Sequence, residues 1–271
     1  GMPKGKSKCS TLVSGDNNGK IDVFIYDSLS NRTALVSVNA SGSGSGAGHS
    51  FAPQFSADGR TIAFVSTADD LTGNDTNRTG DVFVRQLDSG TTVLVSANAT
   101  GQSGQGASAS PMVSTNGRYV AFASSAPDLV SGDTNNLSDI FRRDLVNNET
   151  RMVSVNQAGG PGNRVSFNPV ISPAGDRVAF VSQATDLVAL TDSNQQTDVF
   201  LRDLDVNITV AVSRNSAGTA TANLGSSSPV FSQNGRALVF ISIGTDLVAT
   251  DTNGKQDVFL WRLVDPAPGG A

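Results

Sequence analysis

Five times along the chain an aspartate is followed two residues later by an asparagine and four residues after that by a second aspartate. The sets are Asp16/Asn18/Asp22, Asp75/Asn77/Asp81, Asp133/Asn135/Asp139, Asp192/Asn194/Asp198 and Asp251/Asn253/Asp257. Four of them have a further aspartate upstream in an Asp-Leu pair, at Asp70, Asp128, Asp186 and Asp246. Oxygen-bearing side chains at alternate positions of a short loop, closed by a carboxylate, suit a hard cation such as calcium, which takes about six to eight oxygens. Calcium is therefore one expected ligand, with every residue of the five sets a candidate metal ligand.

The loops are not EF-hands. That loop needs a third oxygen ligand at position 5, where this chain has Lys20, Thr79, Leu137, Gln196 and Lys255, and a glycine at position 6, found here only as Gly80. Position 12, Asp144 for example, falls in an extended segment and cannot fold back. The competing reading is structural: Asp and Asn side chains accept backbone N–H groups in Asx turns, and the final Asp caps the loop where a strand begins.

Other chemistry is sparse. His49 is the only histidine, and no nucleophile-elbow Gly-x-Ser-x-Gly surrounds it, so it reads as a surface-loop residue. The run Gly42-Ser43-Gly44-Ser45-Gly46 lacks the spacing of a dinucleotide fingerprint and reads as a flexible connector. Arg85, Arg143 and Arg202 recur four residues after a loop-closing Asp, as an interblade hydrogen-bonding device rather than a ligand clamp.

The elements that must position these residues follow from a repeat. Asp22-Val23-Phe24, Asp81-Val82-Phe83, Asp139-Ile140-Phe141, Asp198-Val199-Phe200 and Asp257-Val258-Phe259 are spaced by 59, 58, 59 and 59 residues. A period above about 50 suits a four-stranded blade with long loops, and such units stack because none buries its faces alone. In the second copy the strands read as Phe51 to Ser56, Thr61 to Ser66, Asp81 to Leu87 and Thr92 to Ala97. The second and third are apolar on both faces, as a sheet sandwiched between two others requires. Of 24 acidic residues only Glu149 is a glutamate, and aspartate with abundant Gly, Ser, Thr and Asn favours turns over helix.

Before the second strand of four copies runs a motif: Pro53-Gln54-Phe55-Ser56-Ala57-Asp58-Gly59, Pro111-Met112-Val113-Ser114-Thr115-Asn116-Gly117, Pro169-Val170-Ile171-Ser172-Pro173-Ala174-Gly175 and Pro229-Val230-Phe231-Ser232-Gln233-Asn234-Gly235. It resembles the TolB-like propeller repeats of bacteria, with a longer loop between strands two and three. The resemblance implies an all-β propeller of four-stranded blades and assigns no substrate or partner, since propellers host many functions. The expectation is a single domain over 1–271 with repeats near 11–49, 50–107, 108–165, 166–225 and 226–264.

In the first copy only strands three and four are present (Asp22 to Tyr26, Thr33 to Val38), and in the last only strands one to three. Open edges of this kind are liabilities. The chain is therefore expected either to be a segment of a longer propeller or to self-associate through its blade edges.

Strand alternation brings the loops between strands two and three, and those between blades, to one face, the better binding candidate. The innermost strands carry no Asp or Glu, which argues against the paired carboxylates of a channel glycosidase. The leading expectation is a non-enzymatic binding or scaffold module for a protein or glycan, with calcium holding the loops. The alternatives are a carbohydrate-active hydrolase or lyase using the same face, and an accessory domain of a larger protein. A net charge of −5 argues against nucleic acid. One cysteine, Cys9, allows neither an internal disulfide nor a Cys-based zinc site, and no apolar run is long enough to span a membrane. The expected location is periplasmic or extracellular. The start, Gly1-Met2, reads as a tag scar, so a native export signal could have been removed.

Overall fold

Runs such as Thr61-Ile-Ala-Phe-Val-Ser66 combine β-branched and aromatic residues with no polar face, so they form strands only where both faces are covered. The computed structural model describes residues 12–263, and it satisfies that demand by stacking sheet on sheet. Cys9 and the tail Asp265 to Ala271 lie outside the described residues.

The first sheet is a hairpin, β1 (Phe24–Asp27) and β2 (Arg32–Leu35). Three four-stranded antiparallel meanders follow. They comprise β3 (Ser50–Phe55), β4 (Thr61–Ser66), β5 (Asp81–Gln86) and β6 (Thr91–Leu94); β7 (Ser108–Val113), β8 (Tyr119–Ser124), β9 (Asp139–Asp144) and β10 (Glu149–Met152); and β11 (Ser166–Ile171), β12 (Arg177–Ser182), β13 (Asp198–Asp203) and β14 (Ile208–Ala211). The last sheet has three strands, β15 (Ser226–Phe231), β16 (Ala237–Ser242) and β17 (Asp257–Arg262). There is no helix among the described residues. No ladder joins the first hairpin to the last sheet, so the sheets do not close into a ring among these residues.

Four hydrophobic clusters hold neighbouring sheets together. Within each complete sheet, and in the last, facing phenylalanines of the two middle strands stack: Phe64 on Phe83, Phe122 on Phe141, Phe180 on Phe200 and Phe240 on Phe259, with ring centroids 5.6–5.9 Å apart. These rings are the payload of the Asp-Val-Phe repeat, worth about 0.5–1.5 kcal/mol per pair beyond area burial.

The innermost strands carry a shared irregularity. Ala52, Ser110, Asn168 and Ser228 adopt φ of 52, 54, 49 and 54°, each just before the proline of the repeat motif. The ladder slips at the same place, as between Phe51 and Gln54. Proline cannot donate to a ladder, and a bulge on an edge strand is where its missing N–H costs nothing.

The fourth strands are shorter than expected. β6 stops at Leu94 rather than Ala97 because Ser96 leaves the ladder to hydrogen-bond through its side chain.

Candidate functional site

Four of the Asp/Asn sets sit between the second and third strands of their sheets and the first, Asp16/Asn18/Asp22, precedes β1; each loop is organised by its asparagine. Asn18, Asn77, Asn135, Asn194 and Asn253 each accept, at Oδ1, the N–H of the residue two positions on, an Asx turn in all five copies. Their amide Nδ2 groups donate elsewhere. Asn77, Asn135 and Asn194 donate to Oδ2 of Asp81, Asp139 and Asp198, at 2.7, 2.7 and 2.9 Å. The same amides also donate to backbone carbonyls of the following inter-sheet loop, at Gly104, Gly162 and Ala222, and Asn18 donates to that of Gly46.

The second carboxylate oxygen of the closing aspartate is taken by a serine. Ser37, Ser96, Ser154 and Ser213 donate to Oδ1 of Asp22, Asp81, Asp139 and Asp198 at 2.5–2.7 Å. Each of these hydroxyls also accepts the N–H of the residue after that aspartate, Val23, Val82, Ile140 or Val199. The closing Asp therefore caps the strand indirectly, through a serine, instead of accepting a backbone N–H itself. Asp81, Asp139 and Asp198 are fully buried. Burial is the main reason their carboxyls are pushed up, to about 6, about 6 and about 7.

This donor arrangement does not fit calcium at the asparagine and closing aspartate. At Asp81, Asp139 and Asp198 an amide N–H and a hydroxyl already occupy the two carboxylate oxygens, and in all five loops the asparagine oxygen is used in its Asx turn. Oδ1 of Asp75, Asp133 and Asp192 is buried without a hydrogen-bond partner. Oδ2 of Asp22 and Asp251 and the Thr72 and Thr79 hydroxyls are buried in the same state, which makes at most three such side-chain oxygens in one loop, those of Thr72, Asp75 and Thr79, short of the about six to eight that calcium takes. Among the described residues no three His, Cys, Asp or Glu side chains converge as metal ligands would.

The upstream aspartates tie one loop to another. Oδ1 of Asp70, Asp128, Asp186 and Asp246 accepts the N–H of Ala47, Gln105, Asn163 and Asn223, at 2.8–3.0 Å. The inter-sheet loops are consequently packed, and Gly42 to Gly46 is no free connector. A Cβ at Gly46 would meet Leu71 Cδ2 at 2.6 Å. His49 is exposed, its Nδ1 accepting the Ile21 N–H.

The recurring arginines act within a sheet, not between sheets. Arg85, Arg143 and Arg202 stand opposite Thr92, Thr150 and Thr209 in the ladder and donate to their hydroxyls at 2.9, 3.0 and 3.1 Å. Inter-sheet contacts come instead from Arg142, which donates to the Gly175 carbonyl at 2.8 Å and lies over the Tyr119 ring of its own sheet, and from Arg151, which donates to the Leu204 carbonyl at 3.4 Å. Sequence reasoning passed over Arg142, which has no counterpart in the other copies. It also passed over Ser37, Ser96, Ser154 and Ser213, which latch the closing aspartates to the strands, although each lies 15 residues after its aspartate.

Among the open spaces on this scaffold, two lie near these loops and the innermost strands. A polar groove of about 500 Å³ lies between the second and third sheets, lined by Thr72, Asn74, Asn98, Thr100, Arg143 and Asn148. Burial pulls the Arg143 guanidinium below its ordinary value. A second cavity, of about 380 Å³, is lined by the irregular innermost strands of four sheets, including Gln54, Met112, Asn168 and Val230. Four sheets radiating from one central cavity decide the architecture. The fold is a β-propeller.

No family model matches the chain and no curated protein matches it. Among solved structures it is similar to the tricorn protease, at 14% identity over 78% of this chain and 17% of that one, with a TM-score of 0.47. It is similar to TolB from Acinetobacter baumannii at 17% identity, over 83% of this chain and 57% of that one, with a TM-score of 0.33. For the putative TolB from Agrobacterium tumefaciens the identity is 16%, over 89% and 84%, with a TM-score of 0.43. The chain spans less than two thirds of the first two of these proteins.

Proposed function

We propose that this propeller is a non-enzymatic binding module, located in the periplasm or outside the cell, that holds a glycan or protein on its long-loop face. The observation that carries the reading is the groove at Thr72, Asn74, Asn98, Thr100, Arg143 and Asn148. It is lined by hydroxyl, amide and guanidinium groups held in place by their own hydrogen bonds, such as Asn74 to the Gly101 carbonyl, Asn98 to Asp128 and Arg143 to Thr150, on loops that are tied down by the Asp70 and Asp128 hydrogen bonds. A preformed polar site of this kind loses little entropy on binding a hydroxyl- or amide-rich ligand.

The hydrolase or lyase alternative needs carboxylates that touch a substrate. Asp81, Asp139 and Asp198 have the raised values of catalytic acids, yet all three are fully buried and hydrogen-bonded on both oxygens. No observation favours that reading.

The test is a glycan and peptide array probed with the wild-type chain and with Ala99→Trp, which places an indole in the groove from an exposed position. A ligand bound by the wild type and lost in the variant, at unchanged thermal midpoint, supports the proposal. No ligand on either array, or equal binding by both proteins, overturns it.

A further inference from the structure

One hydrogen-bonding pattern is filled four times in the chain and left open a fifth time. In the filled copies a segment reading Val-Ser-x-Asn follows the fourth strand: Val36 to Asn39, Val95 to Asn98, Val153 to Asn156 and Val212 to Asn215. The valine N–H donates to the carbonyl of Val23, Val82, Ile140 or Val199. The serine hydroxyl bridges the closing aspartate and the next N–H, as described. Further along, a serine amide donates to the carbonyl before the aspartate: Ser50 to Ile21, Ser108 to Gly80, Ser166 to Ser138, Ser226 to Thr197.

At β17 the receiving half is present and the donating half is not found among the described residues. Asn253 makes its Asx turn and donates to Asp257 Oδ2 at 2.9 Å, as in the other copies. Asp257 Oδ1, the Val258 N–H and carbonyl, and the Gln256 carbonyl have no partner of the kind filled in the other copies among the described residues. A groove of about 470 Å³ runs beside them, lined by Val248, Thr250, Asp251, Asn253, Val258 and Leu260. Val258 is 72% exposed, whereas its counterparts Val82, Ile140 and Val199 are fully buried.

We propose that this groove is a receptor for an extended segment of the form Val-Ser-x-Asn from another polypeptide, which adds a fourth strand to β17. The four filled copies specify the occupant. Only a hydroxyl at the serine position can donate to Asp257 and accept from the Val258 N–H at once. The preceding valine lies on the Val258 side of the sheet, as Val212 does beside Val199. Main-chain pairing supplies affinity and the serine supplies selectivity, the usual division in strand addition. Val264 to Ala271 contains two prolines and no serine, so it does not match the occupant. Among the described residues a second copy offers no free segment of this form either, because the serines of its Val-Ser-x-Asn segments, Ser37, Ser96, Ser114, Ser154 and Ser213, are engaged within their own sheets. The site is separate from the long-loop groove, so either proposal can fail without the other.

The experiment uses a labelled synthetic peptide with the sequence of residues 91–108 and the same peptide carrying Ser96→Ala. Each is titrated by fluorescence anisotropy against the full chain and against its Asp257→Ala variant. Asp257 has one hydrogen-bond partner, Asn253, so the variant should retain the wild-type circular dichroism spectrum. The expected result is binding of the serine peptide to the wild type, weakened by about tenfold or more by either substitution, as loss of a hydrogen bond to a charged group implies. No binding up to about 1 mM peptide, or binding indifferent to both substitutions, would overturn it.

Discussion

Ser96 Oγ stands 2.5 Å from Asp81 Oδ1 and 3.1 Å from the Val82 backbone nitrogen, donating to the first and accepting from the second. Both partners are fully buried, so this one hydroxyl satisfies two groups that would otherwise be stranded out of water. Ser96→Ala should therefore cost more than a lost surface contact, about 1–3 kcal/mol, the penalty for a buried polar group left without a partner. Urea unfolding is the measurement, with Ser89→Ala, an exposed turn position, as the unchanged control. Equal stability of Ser96→Ala and the wild type would remove the latch from the account.

The latch aspartates should give an inverted acid response. Burial pushes Asp81 and Asp139 up to about 6 and Asp198 up to about 7, from an ordinary 3.8. The folded state then holds more protons than the unfolded chain between these values. The stability contributed is fully present below the ordinary value and is lost as pH rises through the folded values. Asp144 works the other way: its ion pair with Arg118 at 2.7 Å holds it at about 2, and its contribution is lost only as pH falls toward that value. Calorimetry should find a higher thermal midpoint at about pH 5 than at about pH 7.5. Asp198→Asn should flatten that slope. A midpoint that falls on acidification across this window would count against buried, protonatable latches.

Packing of the inter-sheet loops makes a third expectation. A Cβ at Gly104 would lie 2.7 Å from Ala126 Cβ and 2.8 Å from Leu129 Cδ2, whereas at Gly73 it would meet nothing within 4 Å. Gly104→Ala should destabilise by about 1–3 kcal/mol, as overpacking does, and Gly73→Ala should not. Two indistinguishable melts would mean that the loops are loosely held.

Much of this was legible in the sequence, for identifiable reasons. The second strand of each sheet is apolar on both faces, and its bounds came out as read, Thr61 to Ser66. The fourth strands were read too long because Val95-Ser96-Ala97 looks like a continuing strand, and only the structure shows Ser96 turning to Asp81. The asparagines of the loops were readable as Asx residues, since that bond spans two positions. The serine latch spans 15 residues and crosses a strand boundary, beyond the reach of turn chemistry. The arginines were placed between sheets because recurrence alone does not say which way a side chain leans; the ladder register sets Arg143 against Thr150.

The central claim is that the repeated Asp and Asn side chains are hydrogen-bonded latches that tie the long loops to their strands. It is tested most directly by the thermal midpoint in chelator, in millimolar calcium and in millimolar magnesium. A cation bound only by the folded chain would add about 2.7 kcal/mol per site at a hundredfold excess over its Kd, and repeated sites would compound the shift. The latch account predicts one midpoint in all three conditions, because the oxygens of Asp81, Asp139 and Asp198 already have protein donors. A rise specific to calcium and reversed by chelator would contradict it.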